Sequence, residues 1–303
     1  MNALLYLSVV LIWGTTWIAI KMQLGEVPVS LSIGWRFALA AAVLFAILAV
    51  RRQLKPLPRQ AWGLVFAQGL CLFCVNFLCF YHAGDYITTG LEAVVFSTAA
   101  LWNAVNARLF LGRRIAPNVI LGGAVGLLGL LALFSPEFSH TSGMRTAIGL
   151  GLSLVGTLCF SAGNLLSARL QSLGLKPLYT NAWGMLSGAL VLLVGSAAAG
   201  VPFVFDPSPG YVGALLYLAI PGSVIGFTAY LMLVGRLGPE RAAYCTVLFP
   251  LVALNISVFA EGYVWTPLAL AGVALVMLGN WLVFRPASAG SGWPLWRRAK
   301  SGC

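Results

Sequence analysis

An all-α polytopic membrane protein is the fold class the sequence predicts, with ten transmembrane helices in two inverted five-helix repeats. Three observations lead there. Of the 303 residues, 60% are hydrophobic and only 8% charged, far below the quarter or so of charged residues usual in a soluble domain. Ten apolar stretches approach or exceed the length that crosses about 30 Å of hydrocarbon at about 1.5 Å per residue. Sliding the chain by 150 positions aligns Gly34 with Gly184, Gly63 with Gly213, Gly112 with Gly262, Pro117 with Pro267, Gly122 with Gly272 and Gly129 with Gly279. At this glycine density about one or two such glycine matches arise by chance.

The apolar stretches run over 3–22, 29–50, 62–83, 87–110, 118–134, 146–168, 178–200, 211–235, 242–260 and 267–284. The connectors 51–60, 112–117 and 201–210 are short and carry turn chemistry, so no soluble domain is inserted between spans. The first stretch has no basic region before it and no small-residue cleavage site after it, and reads as a retained helix. Five spans per half is an odd number, which inserts the second copy upside down. The repeats are expected over 1–141 and 142–285, followed by a basic tail, 286–303, at the anionic inner leaflet.

The net charge of +11 suggests nucleic acid until the charges are placed. The even-numbered connectors and the tail receive 15 of the 18 basic residues, leaving Lys21, Arg36 and Arg145 for the other side. Basic flanks resist translocation, so both termini are expected in the cytoplasm, with the bilayer rather than a nucleic acid as partner. Five of the six cysteines lie inside predicted helices and show neither a disulfide framework nor a zinc spacing. No metal or cofactor is expected.

Polar side chains inside lipid need a partner or a wet cavity, so the faces that carry them mark a candidate pathway. At helical spacing, helix 4 aligns Glu92, Phe96, Ala99, Asn103 and Asn106; helix 6 aligns Ser153, Thr157, Ser161 and Asn164; helix 1 aligns Trp13, Trp17 and Lys21, with Thr16 beside them. Shorter sets occur on helix 8 (Ser223, Phe227, Tyr230) and helix 9 (Tyr244, Leu248, Asn255). Helices 5 and 10 are aliphatic and glycine-rich and belong at the periphery, with the others around a cavity. The candidate substrate-contacting residues are Thr16, Trp17, Tyr81, His82, Trp102, Asn103, Ser161, Asn164, Tyr230 and Tyr244. Each has a plainer reading: Ser, Thr and Asn also serve as interhelical hydrogen bonds worth about 0.6 kcal/mol. His82 has three roles open to it, in substrate contact, proton transfer or capping of a turn. Tyr6, Trp62, Tyr211, Tyr263 and Trp265 read as interfacial aromatics.

Arg36 and Glu92 lie at similar depth in helices 2 and 4. An unpaired charge there costs about 2.5–3.5 kcal/mol, so a charge cluster of Arg36 and Glu92, joined by Lys21, is expected. The competing reading has each head group snorkelling to the surface separately. No acidic pair sits at the midplane as a proton or sodium site. The set suits a small-molecule substrate with a flat apolar part and a polar part, and a monomer is compatible with the layout.

The stretches "WGTTWIAIK" (13–21), "FYHAGDYITTGLEAVVFSTAAL" (80–101) and "GPERAAYCTVLFPLVALNISVFAEGYVWTP" (238–267) resemble the drug/metabolite transporter superfamily in its EamA-like branch. The resemblance spans about residues 1–285. It implies ten helices, inverted five-helix repeats and export of small metabolites from the bacterial inner membrane. Within the branch the Trp- and His-bearing motifs are most similar to aromatic amino acid exporters, which places Trp17, Tyr81, His82 and Trp102 in the cavity. Two positions depart from the family pattern. Ala100 stands where a helix-4 proline is usual, leaving helix 9 with a proline (Pro250) that helix 4 lacks; Arg113 stands where an acid is usual.

Alternative substrates are cationic drugs or lipid-linked molecules. A channel needs charged rings or a backbone filter, and a sensor needs an output domain; neither is visible. An enzyme needs a nucleophile with a base or clustered metal ligands, and the only histidines are His82 and His140.

Overall fold

The computed structural model describes residues 2–112, 115, 117–140, 143–237 and 239–284. Arg113 and the tail 286–303 lie outside the described residues, and so does the side chain of Tyr244. Among the described residues there is no strand, and the helical segments group into ten runs, one of them interrupted at residues 97–98. They are α1 (Asn2–Lys21), α2 (Val29–Val50), α3 (Arg59–Ala83), α4 (89–111), α5 (Pro117–His140), α6 (Gly143–Ser172), α7 (Pro177–Ala198), α8 (Pro209–Leu237), α9 (239–261) and α10 (Pro267–Phe284).

Local chemistry sets the ends. The runs α5, α7, α8, α9 and α10 all start at a proline, whose fixed φ suits the first helical turn and whose missing N–H is not needed there. Gly112 (φ 65°) and Gly262 (φ 69°) end α4 and α9 in the left-handed conformation. Among the described residues six helices are long and apolar enough to cross a membrane: α1, α2, α3, α6, α7 and α8. The other apolar helical stretches are shorter, at Pro117–Leu133, Val252–Glu261 and Pro267–Leu282.

The helices near the centre are interrupted, which no apolar pattern announced. A π-helical turn occupies Cys71–Val75 of α3, and a longer one Leu218–Phe227 of α8, around Pro221. α4 breaks at Ser97 and Thr98, where ψ falls to 3° at Thr98. The hydroxyls of Ser97 and Thr98 donate to the Val94 and Val95 carbonyls, both at 2.6 Å, competing with the helical ladder. α9 changes from a 3₁₀ segment, Ala243–Leu248, to α-helix at Phe249, with Pro250 just inside. The missing helix-4 proline therefore does not leave α9 alone in being broken, because two hydroxyls do in α4 what Pro250 does in α9.

α2 packs along α7, and α5 along α10; α3 and α4 lie against α6, while α8 and α9 lie against α1. α4 also touches α9. The α5–α10 contact is glycine on glycine. A Cβ at Gly129 would stand 2.7 Å from the Gly272 carbonyl oxygen, and one at Gly279 would stand 2.5 Å from that of Gly122. Only residues without a side chain allow backbones this close, the usual device of membrane helix pairs that lack a hydrophobic driving force.

Candidate functional site

Where α1, α3, α4, α6, α8 and α9 converge, aromatic rings surround a chamber. α1 contributes Trp13, Thr16, Trp17 and Ile20; α3 contributes Asn76, Phe77 and Phe80; and Phe96, Phe160, Phe227 and Phe249 come one each from α4, α6, α8 and α9. Arg36 of α2 completes the wall. As expected, α5 and α10 contribute nothing to it. Neither does α7, which its sequence places around the cavity but which packs against α2 and α3.

Trp13 is the hub. Its ring meets Phe227 at 4.7 Å, Tyr230 at 5.0 Å, and Phe160 and Phe249 at 6.0 Å, mostly tilted or edge-on, the geometry favoured by the ring quadrupole. Its Nε1 donates to the Gly222 carbonyl at 3.0 Å, inside the π-helical segment of α8. Trp17 meets Phe80 and Phe96 edge-on, at 5.2 and 5.6 Å, and its buried Nε1 has no partner. Phe96 and Phe249 lie parallel, 6.1 Å apart.

The residues nominated from sequence scatter. Thr16 and Trp17 line the chamber. Tyr230 is buried behind it against Trp13 and Phe160, and receives a hydrogen bond from Asn164 Nδ2 at 3.1 Å. Ser161 accepts from Asn106 at 2.9 Å, while Ser153 and Thr157 donate back into their own helix, so the polar face of α6 serves packing. Asn103 donates to the Pro239 carbonyl at 3.1 Å, joining α4 to the start of α9. Trp102 faces a separate small recess beside the glycines of α5 and Asn280 of α10, not the aromatic chamber. Tyr81 is buried, and its hydroxyl donates to Gln23 at 2.7 Å. His82 is exposed at the end of α3. One residue turns a helix by about 100°, so Tyr81 facing inward puts His82 outward. Tyr211, read as interfacial, is buried and paired with the Ser32 hydroxyl at 2.9 Å.

The expected Arg36–Glu92 pair does not form. Arg36 Nε donates to Ser223 Oγ at 3.0 Å, and the guanidinium sits 4.3 Å over the Phe77 ring, beside Tyr81. Glu92 is wholly buried elsewhere, near Gly84, with Lys21, Asp85 and Glu261 as its charged neighbours and with no hydrogen bond to either oxygen. Lys21 reaches the Gly84 carbonyl at 2.7 Å instead of an acid. Equal depth along two helices does not fix which way each side chain faces. α2 turns Arg36 toward α3 and α8, while Glu92 faces the C-terminal ends of α1 and α9. Glu261 has a defined job: its carboxylate accepts from the Thr89 amide at 3.1 Å, the Thr89 hydroxyl at 2.6 Å and the Ser257 hydroxyl, capping the start of α4.

The sequence reading passed over Phe80, Phe160 and Phe249 as ordinary apolar residues, and gave Arg36 a structural role. A usable signal existed in α1, where Trp13, Thr16, Trp17 and Ile20 follow the i, i+3, i+4, i+7 spacing of one face. Among the described residues no group of His, Cys, Asp and Glu could hold a metal ion.

A family model described as the EamA-like transporter family matches residues 1–135 and 147–285. The chain belongs to the EamA-like transporter family. Relatives agree with this along nearly the whole length. The inner membrane transporter YedA of Escherichia coli K12, itself described as uncharacterized, is 28% identical, over 90% of this chain and 89% of its own. A probable amino-acid metabolite efflux pump of the same strain is 26% identical, over 93% of this chain and 94% of its own. Protein PagO of Salmonella typhimurium is 24% identical, over 92% and 91%. A solved crystal structure of a protein matches with a TM-score of 0.69 at 18% identity, covering 95% of this chain and 98% of that one, a likeness of fold alone. This EamA-like protein is therefore a membrane transporter, and the chamber is its candidate substrate site.

Proposed function

We propose that the protein exports aromatic amino acids and related small metabolites across a bacterial inner membrane, by alternating access through the aromatic chamber. The observation that carries this reading is the chamber itself: a ring-lined recess with one charged side chain in its wall, formed by helices of both halves of the chain, the mostly apolar setting with few polar groups that small-molecule sites favour. A flat aryl group fits against Trp17, Phe80 and Phe96, and the unpartnered Trp17 Nε1 offers a hydrogen bond to the ligand's polar end.

Alternating access rests on the further reading that ten spans form two inverted repeats, with both termini cytoplasmic. Features separated by 150 residues support it. The π-helical turn at Cys71–Val75 corresponds to 221–225, within the π-helical segment of α8. The break at 97–98 corresponds to 247–248, and left-handed Gly112 corresponds to Gly262. The contact of Gly129 with Gly272 becomes, on the same shift, the contact of Gly279 with Gly122. Helices interrupted near a central site are the places where such transporters bind and bend.

Uptake of labelled phenylalanine and tryptophan into proteoliposomes, against a panel of other amino acids and cationic drugs, tests the function. Saturable uptake of the aromatic amino acids is expected. No movement of any aryl compound, with transport of another solute, would overturn the substrate while leaving the family.

A further inference from the structure

Arg36 is a charged residue on a chamber wall that carries no acid. It is 2% exposed. One hydroxyl, Ser223 Oγ, answers its Nε, and the faces of Phe77 and Phe37 lie 4.3 and 5.1 Å from its central carbon. Its Nη1 is buried with no hydrogen-bond partner. Among the described residues no salt bridge joins it to a carboxylate, and Glu92, the acid at equal depth, lies with Lys21 and Glu261. A guanidinium cannot shed its proton. In this setting it is a permanent cation, offset only in part by ring faces, the Ser223 hydroxyl and the neighbouring Tyr81 hydroxyl. Its planar fork matches a carboxylate and binds it at two points. The counter-ion that the protein withholds is one that a ligand can bring.

The rest of the wall says what else the ligand needs. Rings dominate it, so an aryl or similarly flat apolar body is favoured. Thr16 and Asn76 also line it, and each spends a donor within the protein, Thr16 on the Trp13 carbonyl at 2.9 Å and Asn76 on the Gly156 carbonyl at 2.9 Å. Ring faces and the Asn76 carbonyl are what an ammonium group would meet on this wall, and the fixed positive charge of Arg36 opposes one.

We propose that Arg36 is a ligand-binding residue that takes the carboxylate of an aryl-bearing acid, and that an ammonium group on the ligand is not required. This rests on the chamber being the substrate site of an aromatic exporter. It widens the substrate class from aromatic amino acids to aryl carboxylates, and it disfavours cationic drugs at this site.

Three probes of similar shape decide it: phenylalanine, 3-phenylpropionate (no ammonium) and phenethylamine (no carboxylate). Each is titrated against the purified protein by calorimetry and competed against labelled phenylalanine in proteoliposomes. The two acids are expected to bind within about tenfold of each other, and phenethylamine at least about tenfold more weakly. Arg36→Gln should weaken both acids about tenfold or more without weakening phenethylamine, and Arg36→Lys should fall between, since a lysine keeps the charge but loses the fork. Should Arg36→Gln fail to fold, the comparison of ligands on the unaltered protein still decides. Phenethylamine binding as tightly as 3-phenylpropionate would overturn the inference and leave the proposed function standing. So would weak 3-phenylpropionate beside tight phenylalanine, or undiminished acid binding by Arg36→Gln. No aryl ligand of any kind would overturn both.

Discussion

The central chamber and the α5–α10 contact are both places where helices from the two halves meet, and they are built from opposite materials. Between α5 and α10 the sequence removes side chains, and backbone lies on backbone through Gly129, Gly272, Gly122 and Gly279. At the chamber it supplies the largest side chains available, arranged edge-on so that they do not close the space between them. The chamber wall holds Trp17 Nε1 and Arg36 Nη1, two buried donors without hydrogen-bond partners. Membrane helices that need only to associate approach as closely as they can. Helices that must leave room for a ligand are held apart by rings.

The sharpest way to break this contrast is Trp13→Ala. Trp13 touches five rings, so removing it should cost about 3–5 kcal/mol, read as a lowered midpoint of thermal unfolding in detergent, together with loss of transport. A small loss of stability would show that the chamber wall does not depend on its hub.

Gly272→Ala should come next. The new methyl group would stand 2.8 Å from the Gly129 carbonyl, and separating two backbones should cost about 1–3 kcal/mol. Transport per folded molecule should be kept, since no chamber residue moves; loss of transport at full stability would make this contact part of the mechanism.

A double-mutant cycle on Arg36→Gln and Glu92→Gln should give a coupling energy below about 0.5 kcal/mol, as for separate sites. Strong coupling would restore the pair that equal depth suggested. The smallest effect is expected for His82→Ala. His82 is exposed and outside both regions, so stability should change by less than about 0.5 kcal/mol, with transport unaltered. A transport defect would return it to the ligand path.

These cases mark what was legible in the sequence. The apolar runs, the peripheral pair α5 and α10, and the inward face of α1 could all be read, because each depends on composition or spacing along one helix. The polar face of α6 could be seen but not interpreted: back-bonding by Ser153 and Thr157 depends on rotamers, which spacing does not record. Arg36 and Glu92 failed for want of an azimuth. The break of α4 was hidden because serine and threonine, unlike proline, give no fixed signal of where they bend a helix.

The π-helical turn at Cys71–Val75 has a consequence for how the chamber is maintained. Such a turn holds one residue more than the α-helix around it, so everything after it is rotated by about 100° from where an unbroken helix would put it. Phe77 and Phe80 come directly after it. Deleting a single residue such as Cys71 would let the helix anneal, and would swing both rings off the wall while the span still threads the bilayer. The capacity to hold a ligand is thus set by a counting detail that hydropathy ignores: a drift of one codon could turn this pore-side surface toward lipid without disturbing insertion.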